Sequence, residues 1–285
     1  MAFNSPLRYP GGKGKLAKYI KSIYRENQLP RANYYEVFAG GSGIALDLLF
    51  SDLVTDIFLN DLNTAITSFW YAVINNTESL CQKIQNASLT IAEWEQQKQI
   101  QYNPENQQVN NLDLAFSTFY LNRVNRSGII KGGIIGGIEQ TGPYQMDARF
   151  NKLDLIKRIQ KIATFSDRIR IYNLDGVAFI QNILPTMPND GFVYFDPPYY
   201  KNGQKLYDNF FTHADHVTLA SEIRNIKQHW LVSYDNVPEI QELYLDHTNI
   251  DYELHYTAQV KYIGSEVMFC SKTLHFPTNE SLLNL

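Results

Sequence analysis

Cysteine is nearly missing from this 285-residue chain: Cys81 and Cys270 stand far apart, which excludes a disulfide framework and a cysteine-built metal site and suits a reducing cytoplasm. Long apolar runs are missing too. No uninterrupted hydrophobic stretch approaches the roughly 20 residues that cross a bilayer. Met1-Ala2-Phe3-Asn4-Ser5-Pro6 does not read as a signal peptide, because proline, glycine and lysine follow before any apolar segment forms. His213, His216 and His229 lack ligand spacing and read as surface or packing residues, so no metal is expected. Two nucleotide signatures are also absent. Pro6 to Lys15 is rich in glycine and lysine, yet no strand precedes it and no Ser or Thr follows the lysines, so it is not a P-loop. The loop at residues 39–43 does not have the Gly-x-Gly-x-x-Gly spacing of a dinucleotide site, which disfavours a nicotinamide cofactor.

What is present is enough hydrophobic residue, 44%, to bury a sizeable core as one large domain or one domain carrying an insertion. Tyr34 to Phe38 reads as a strand, Ala39-Gly40-Gly41-Ser42-Gly43 as a turn allowing close backbone approach, and Ile44 to Phe50 as a helix. Strand, glycine loop and helix open a nucleotide-binding α/β unit. A second strand, Asp56 to Leu59, ends in Asn60-Asp61-Leu62-Asn63. An acid there, about 20 residues past the glycine loop, is where such folds hold a ribose by its hydroxyls, with a helix cap as the other reading of Asp61. Ile169 to Tyr172 forms another strand, leading to Asp175, which either accepts from a purine amino group or caps the helix that follows.

Gly191-Phe192-Val193-Tyr194-Phe195 has the content of a buried strand, and Asp196-Pro197-Pro198-Tyr199 follows directly. Two prolines fix φ twice and supply no N–H, which makes a rigid turn with outward acceptors. A carboxylate and a neighbouring carbonyl can each accept one hydrogen of an exocyclic amino group, freeing the nitrogen lone pair for an electrophile. Tyr199 offers a face for a planar base. A strand-ending turn whose Asp caps a helix is the plainer reading. Strands at Trp230 to Tyr234, Thr248 to His255 and Glu266 to Leu274 complete the pattern as a parallel sheet closed by an antiparallel pair.

From about Ala65 to Ala163 strands are scarce. Helical runs surround Phe69-Trp70, Trp94 and Phe116, separated by a polar stretch at residues 96–111. Asn122-Arg123-Val124-Asn125-Arg126 leads into a glycine-dense loop, and a basic amphipathic helix runs from Asn151 to Ile162. The net charge of −4 conceals an uneven distribution: residues 121–170 hold ten Lys and Arg against four Asp and Glu, and the first 25 residues hold six against none. Two basic segments in an acidic chain suit a phosphate-backbone footprint, with Arg123, Asn125, Arg126, Lys131 and Arg149 as candidate contacts. A loop covering a cofactor is the competing reading.

The Gly-Gly-Lys loop, Phe38-Ala39-Gly40-Gly41-Ser42-Gly43, Asn60-Asp61-Leu62-Asn63 and Asp196-Pro197-Pro198-Tyr199, in this order, resemble the Dam-type family of S-adenosylmethionine-dependent DNA adenine-N6 methyltransferases. The resemblance covers nearly the whole chain. It implies a Rossmann-like methyltransferase sheet formed by residues 1–63 and 164–285, mostly parallel with a terminal antiparallel hairpin, and an inserted helical target-recognition region at residues 64–163. It implies methyl transfer from S-adenosyl-L-methionine to N6 of a flipped adenine in double-stranded DNA, by Asp196, Pro197 and Tyr199, without a metal. Tyr9 and Lys13 would hold the methionine part of the cofactor, Phe38 and Gly40 would line its site, Asp61 would take the ribose, and Asp196 would sit where cofactor and target meet. A cytoplasmic monomer, with a cognate restriction endonuclease among the partner expectations, completes the picture. Gly128 to Gly142 is shorter and richer in glycine than the family's base-reading hairpin, so no target sequence is carried over. An RNA adenine methyltransferase and a catalytically silent regulator are the alternatives.

Overall fold

The computed structural model describes residues 4–8, 16–201, 211–256 and 262–277. Its sheet has seven strands in the order β3-β2-β1-β4-β5-β7-β6. The strands are β1 (Tyr34–Glu36), β2 (Ile57–Asn60), β3 (Ile169–Tyr172), β4 (Phe192–Phe195), β5 (His229–Asp235), β6 (Asn249–Tyr256) and β7 (Tyr262–Cys270). β1 pairs in parallel with β2 and β4, and β4 with β5. β7 runs antiparallel to both β5 and β6. The expected α/β class, a mostly parallel sheet with an antiparallel closing pair, is therefore the observed one. Every residue of β1, β2 and β4 is buried, as central strands covered on both faces require.

By its internal contacts the chain divides at residues 60/61 and 173/174 into two compact units. One contains the described residues 16–60 and 174–277, and holds six of the seven strands. Its first helix, α1 (Leu16–Glu26), buries Leu16, Tyr19, Ile20 and Ile23, the one-sided spacing that gives an amphipathic helix its inward face. α2 (Gly43–Phe50), α8 (Gly176–Asn182), α9 (His213–Asn225) and α10 (Pro238–Leu243) follow. A capping box between Thr212 and Asp215 starts α9.

The other unit contains residues 4–8 and 61–173 and is mainly helical: α3 (Thr64–Asn75), α4 (Thr77–Asn86), α5 (Ile91–Tyr102), α6 (Leu112–Val124) and α7 (Lys152–Ala163). Phe69, Phe119, Tyr120 and Phe150 form its aromatic centre, with ring centroids 5.5–6.0 Å apart. Two features were not read from the sequence. Helix α4 is mostly polar and shows only Leu80, Cys81 and Ile84 to the core. Helix α5 continues into the glutamine-rich stretch, where Gln97 and Gln101 turn inward; Gln97 Nε2 donates to Glu93 Oε1 (2.7 Å), and Gln101 finds partners on α6. The Ser117 hydroxyl donates to the main-chain carbonyl of Gln97 (2.6 Å), and the Ser117 and Thr118 hydroxyls both reach Gln101 Oε1 at 3.3 Å. Among the described residues, no helix is long and apolar enough to cross a membrane.

Candidate active site

Parallel pairing of β4 with β5 brings the end of one strand beside the end of the next, and Asp196 follows the buried Phe195. Ser233 Oγ lies 3.3 Å from Asp196 Oδ1 as donor and 2.8 Å from the Tyr194 hydroxyl. Asp196 is half-buried. Past the prolines, the two amides that follow Tyr199 are fixed by Asp235 at the end of β5. Its Oδ1 accepts from the Tyr200 N–H (2.8 Å) and its Oδ2 from the Lys201 N–H (2.9 Å). The turn is thus stiffened twice, by ring closure in Pro197 and Pro198 and by a carboxylate across it.

Tyr199 is 7% exposed, so its ring is mostly enclosed rather than the open face the sequence suggests. Its hydroxyl donates to Glu266 Oε1 at 2.8 Å, and the Tyr252 hydroxyl donates to Oε2 of the same buried carboxylate. Tyr200 is half-buried; its hydroxyl lies 3.1 Å from His213 Nδ1 and its ring is 5.2 Å from that of His216. His216 is fully buried with Nδ1 3.2 Å from the Tyr234 hydroxyl, and desolvation pulls its pKa down to about 4, against the opposing pull of Asp235 and Asp215. His216 is a packing residue, as its lack of ligand spacing suggests.

A second polar assembly ties the tips of β1 and β2 to the segment entering α8. Asn60, 1% exposed, donates from Nδ2 to the carbonyls of Val37 and Leu174, both at 3.0 Å, and accepts the Leu174 N–H at 3.0 Å. The Asn60 carbonyl accepts the Ala39 N–H at 2.8 Å. Gly40 then turns left-handed (φ 45°), as does Ser42 (φ 48°), which starts α2 without a side-chain cap. Phe38 is half-buried at this turn, and Gly176 opens α8 against it: a Cβ there would fall 2.8 Å from Phe38 Cζ. Any larger residue there would displace the Phe38 ring. Asp175 is exposed and caps α8 through the Val177 and Ala178 N–H groups (2.9 and 3.3 Å), which leaves its second oxygen outside the cap. In the other unit, Asp61 Oδ1 closes a turn on the Asn63 N–H at 2.9 Å. Tyr9 and Lys13 lie outside the described residues.

The basic candidates differ among themselves. Arg126, Lys131 and Arg149 are exposed. Arg123 is partly covered and braces backbone, donating to the carbonyls of Arg149 (2.7 Å) and Pro6 (3.4 Å); burial, then the charges of Arg8 and Arg158, lower its pKa to about 9. Asn125 requires a correction. It is fully buried, accepts from Trp94 Nε1 (2.8 Å) and donates to the carbonyls of Ile129 (3.0 Å) and Ile130 (2.8 Å), so its amide has both hydrogens spent inside the loop and shapes it instead of contacting a nucleic acid. The glycine-dense loop closes on itself in the same way: Gln140 Nε2 reaches the carbonyls of Ile135 (2.8 Å) and Gly137 (2.6 Å), and Gln140 Oε1 accepts the Met146 N–H (2.9 Å).

Ser233, Asp235, Glu266 and Asn60 are the residues that motif reading misses. Three of them come from strands whose sequence carries no recognisable signature. Asn60 stands inside a noted motif, overshadowed by the acid next to it.

Residues 9–261 match the model of a family described as D12 class N6 adenine-specific DNA methyltransferase. No curated protein matches the chain. Solved structures with similarity include a conserved hypothetical protein from Streptococcus pyogenes, at 10% identity over 89% of this chain and 96% of that one, TM-score 0.33. Precorrin-6y C5,15-methyltransferase from Geobacter metallireducens GS-15 aligns at 7% identity over 88% of this chain and 87% of that one, TM-score 0.34. The rRNA methyltransferase AviRa from Streptomyces viridochromogenes aligns at 10% identity over 90% and 84%, TM-score 0.39.

Proposed function

The chain belongs to the D12 class N6 adenine-specific DNA methyltransferase family, and on that premise we propose that the Asp196 corner is where the adenine amino group meets the methyl donor. The donor we assign is S-adenosyl-L-methionine, which when bound supplies a methyl group made electrophilic by its sulfonium. The residues present suit an adenosyl group: a half-buried aromatic ring at Phe38, a left-handed glycine turn at Gly40, and an exposed carboxylate at Asp175 beside them for a purine amino group. Asp61 takes the ribose hydroxyls, and Tyr9 and Lys13 hold the methionine portion by the family resemblance.

Asp196 and the carbonyl at Pro197 each accept one hydrogen of the target amine, drawing the nitrogen out of conjugation so that its lone pair faces the methyl carbon. No strong base is needed beforehand. The nitrogen sheds its proton only after it carries positive charge, and the Asp196 carboxylate stabilises that charge as it develops. Holding amine and methyl in line supplies much of the remaining acceleration. A base inside the duplex cannot reach a protein pocket, so the adenine is extruded at a cost of a few kcal/mol. Tyr199, with its ring enclosed and its hydroxyl tied down, borders the place where the extruded base is received. The mainly helical insertion, residues 64–163, serves target recognition, with Arg126, Lys131 and Arg149 on phosphates and Arg123 bracing the main chain at Arg149. We place the protein in the cytoplasm as a monomer, with a restriction endonuclease as the kind of enzyme it would accompany.

The observation that carries this reading is the carboxylate of Asp196, rooted by Ser233 and followed by a turn fixed on Asp235. Asp196→Ala should lower turnover by about 10³-fold, the scale of losing an electrostatic stabiliser, while S-adenosylmethionine affinity and melting temperature change little. Single-molecule sequencing of DNA from a host expressing each form reads the product directly: modified adenines in one sequence context with the wild type, none with the variant. Near-normal turnover in the variant would overturn the assignment.

A further inference from the structure

Glu266 lies on β7 directly opposite Asp235 of β5 on one side and Tyr252 of β6 on the other. It is 1% exposed. Its two carboxylate oxygens take the hydroxyls of Tyr199 (2.8 Å) and Tyr252 (2.5 Å). Asp235, its cross-strand neighbour, takes the backbone N–H groups of the two residues that follow Tyr199. Two adjacent acids thus hold successive residues of one turn, one by the side chain and the other by the main chain.

Burying a carboxylate is costly before its partners compensate, and an apolar residue could fill the same strand position at less cost. What an acid adds is direction. A phenol ring enclosed in a core can still rotate or tilt about its side-chain bonds, whereas a ring whose hydroxyl is fixed at the far end has its plane set. Tyr252 occupies the second oxygen, so the carboxylate itself cannot swing away from Tyr199 without losing a bond.

We propose that Glu266 is a positioning residue for methyl transfer, acting through the Tyr199 hydroxyl to fix the plane of the ring beside Asp196 and so the orientation in which the target amine is received. This rests on the reading of the Asp196 corner given above. Glu266 itself touches neither donor nor base. A residue that acts only on orientation should change turnover and leave donor binding alone, because misplacement of about 1 Å at a reacting centre can cost on the order of 10²-fold.

The experiment is a double-mutant cycle of Glu266→Gln and Tyr199→Phe in the full chain. Tritiated methyl transfer from S-adenosylmethionine to DNA lacking adenine methylation gives kcat and both KM values, and melting temperature is recorded alongside. Each single variant should lose about 10- to 100-fold in kcat, with KM for S-adenosylmethionine within about twofold of wild type. The double variant should be within about twofold of Tyr199→Phe alone, since cutting either end already releases the ring. Multiplied losses in the double variant, or wild-type kcat in either single variant, would overturn the inference. Should Glu266→Gln fail to fold, Tyr199→Phe, which keeps the ring and the acid, decides: a lower kcat at unchanged cofactor KM supports the inference and an unchanged kcat sinks it. An inactive Asp196→Ala beside a fully active Glu266→Gln removes this inference alone; an active Asp196→Ala removes the corner reading together with it.

Discussion

In residues 16–60 and 174–277 the decisive polar side chains stand at strand ends and spend their hydrogen bonds on the next strand's end. In residues 61–173 two amides, those of Asn125 and Gln140, close loops on carbonyls only a few residues away. Asn60 and Asn125 show the contrast. Each is at most 1% exposed and each makes three hydrogen bonds through its amide. Asn60 reaches across 23 and 114 residues of chain; two of the three bonds of Asn125 stay within five. A network that joins distant strand tips fixes their geometry with little room for variation. One that closes a local loop sets the shape of a surface, and Arg126 and Lys131 stand exposed on it.

The largest effects that would test this contrast are at the two asparagines. Losing three buried hydrogen bonds at roughly 1 kcal/mol each, Asn60→Ala and Asn125→Ala should each cost about 3 kcal/mol in urea unfolding. Their functional consequences should part company: Asn60→Ala should weaken cofactor binding at unchanged DNA affinity, and Asn125→Ala the reverse. If calorimetric titration finds the same functional loss in both, the division of labour between the two regions is wrong.

A second effect concerns pH and falls in the strand-tip region alone. His216 has a folded pKa pulled from 6.5 down to about 4, so the unfolded chain binds the proton first as pH falls. Stability carried by the neutral ring is present above about 6.5 and is lost on acidification from there towards about 4. Asp235 and Asp215 pull against this shift while His213 adds to it. Unfolding free energy measured across that window should slope downward toward acid in the wild type. The slope should flatten in His216→Phe, and an identical slope in that variant would detach the effect from His216.

The smallest effects in stability belong to the exposed cations. Arg126→Ala and Arg149→Ala should leave the unfolding free energy within about 0.5 kcal/mol of wild type. Each should lower the slope of log K for DNA against log salt by about one. Unchanged slopes would take both residues out of the phosphate footprint and with them the case for the insertion as the DNA-reading region.

Much of the fold was legible because it depends on local pattern. Apolar runs ending in Asp or Asn placed the strands and their tips to within a few residues, and the glycine loop and the double proline located two turns whose chemistry follows from backbone constraint. The polar helices α4 and α5 were less visible, since Gln101 looks like a surface residue until α6 supplies Ser117 and Thr118 as partners for its amide oxygen. Asn125 misled for a related reason. An amide flanked by two arginines is an ordinary nucleic-acid contact in sequence, and its burial against Trp94 arises only from packing.

By itself the sequence determined that a rigid acceptor turn would stand at the end of a buried strand, because proline fixes φ and the strand's apolar content fixes its burial whatever lies around it. Only the tertiary structure decided what holds that turn: Ser233, Asp235 and Glu266 come from 37, 35 and 67 residues along the chain from their respective partners Asp196, Tyr200 and Tyr199. Hydrogen bonds of that range depend on strand order and register, which are set by the collective burial of the whole sheet and leave no mark on any short stretch of residues.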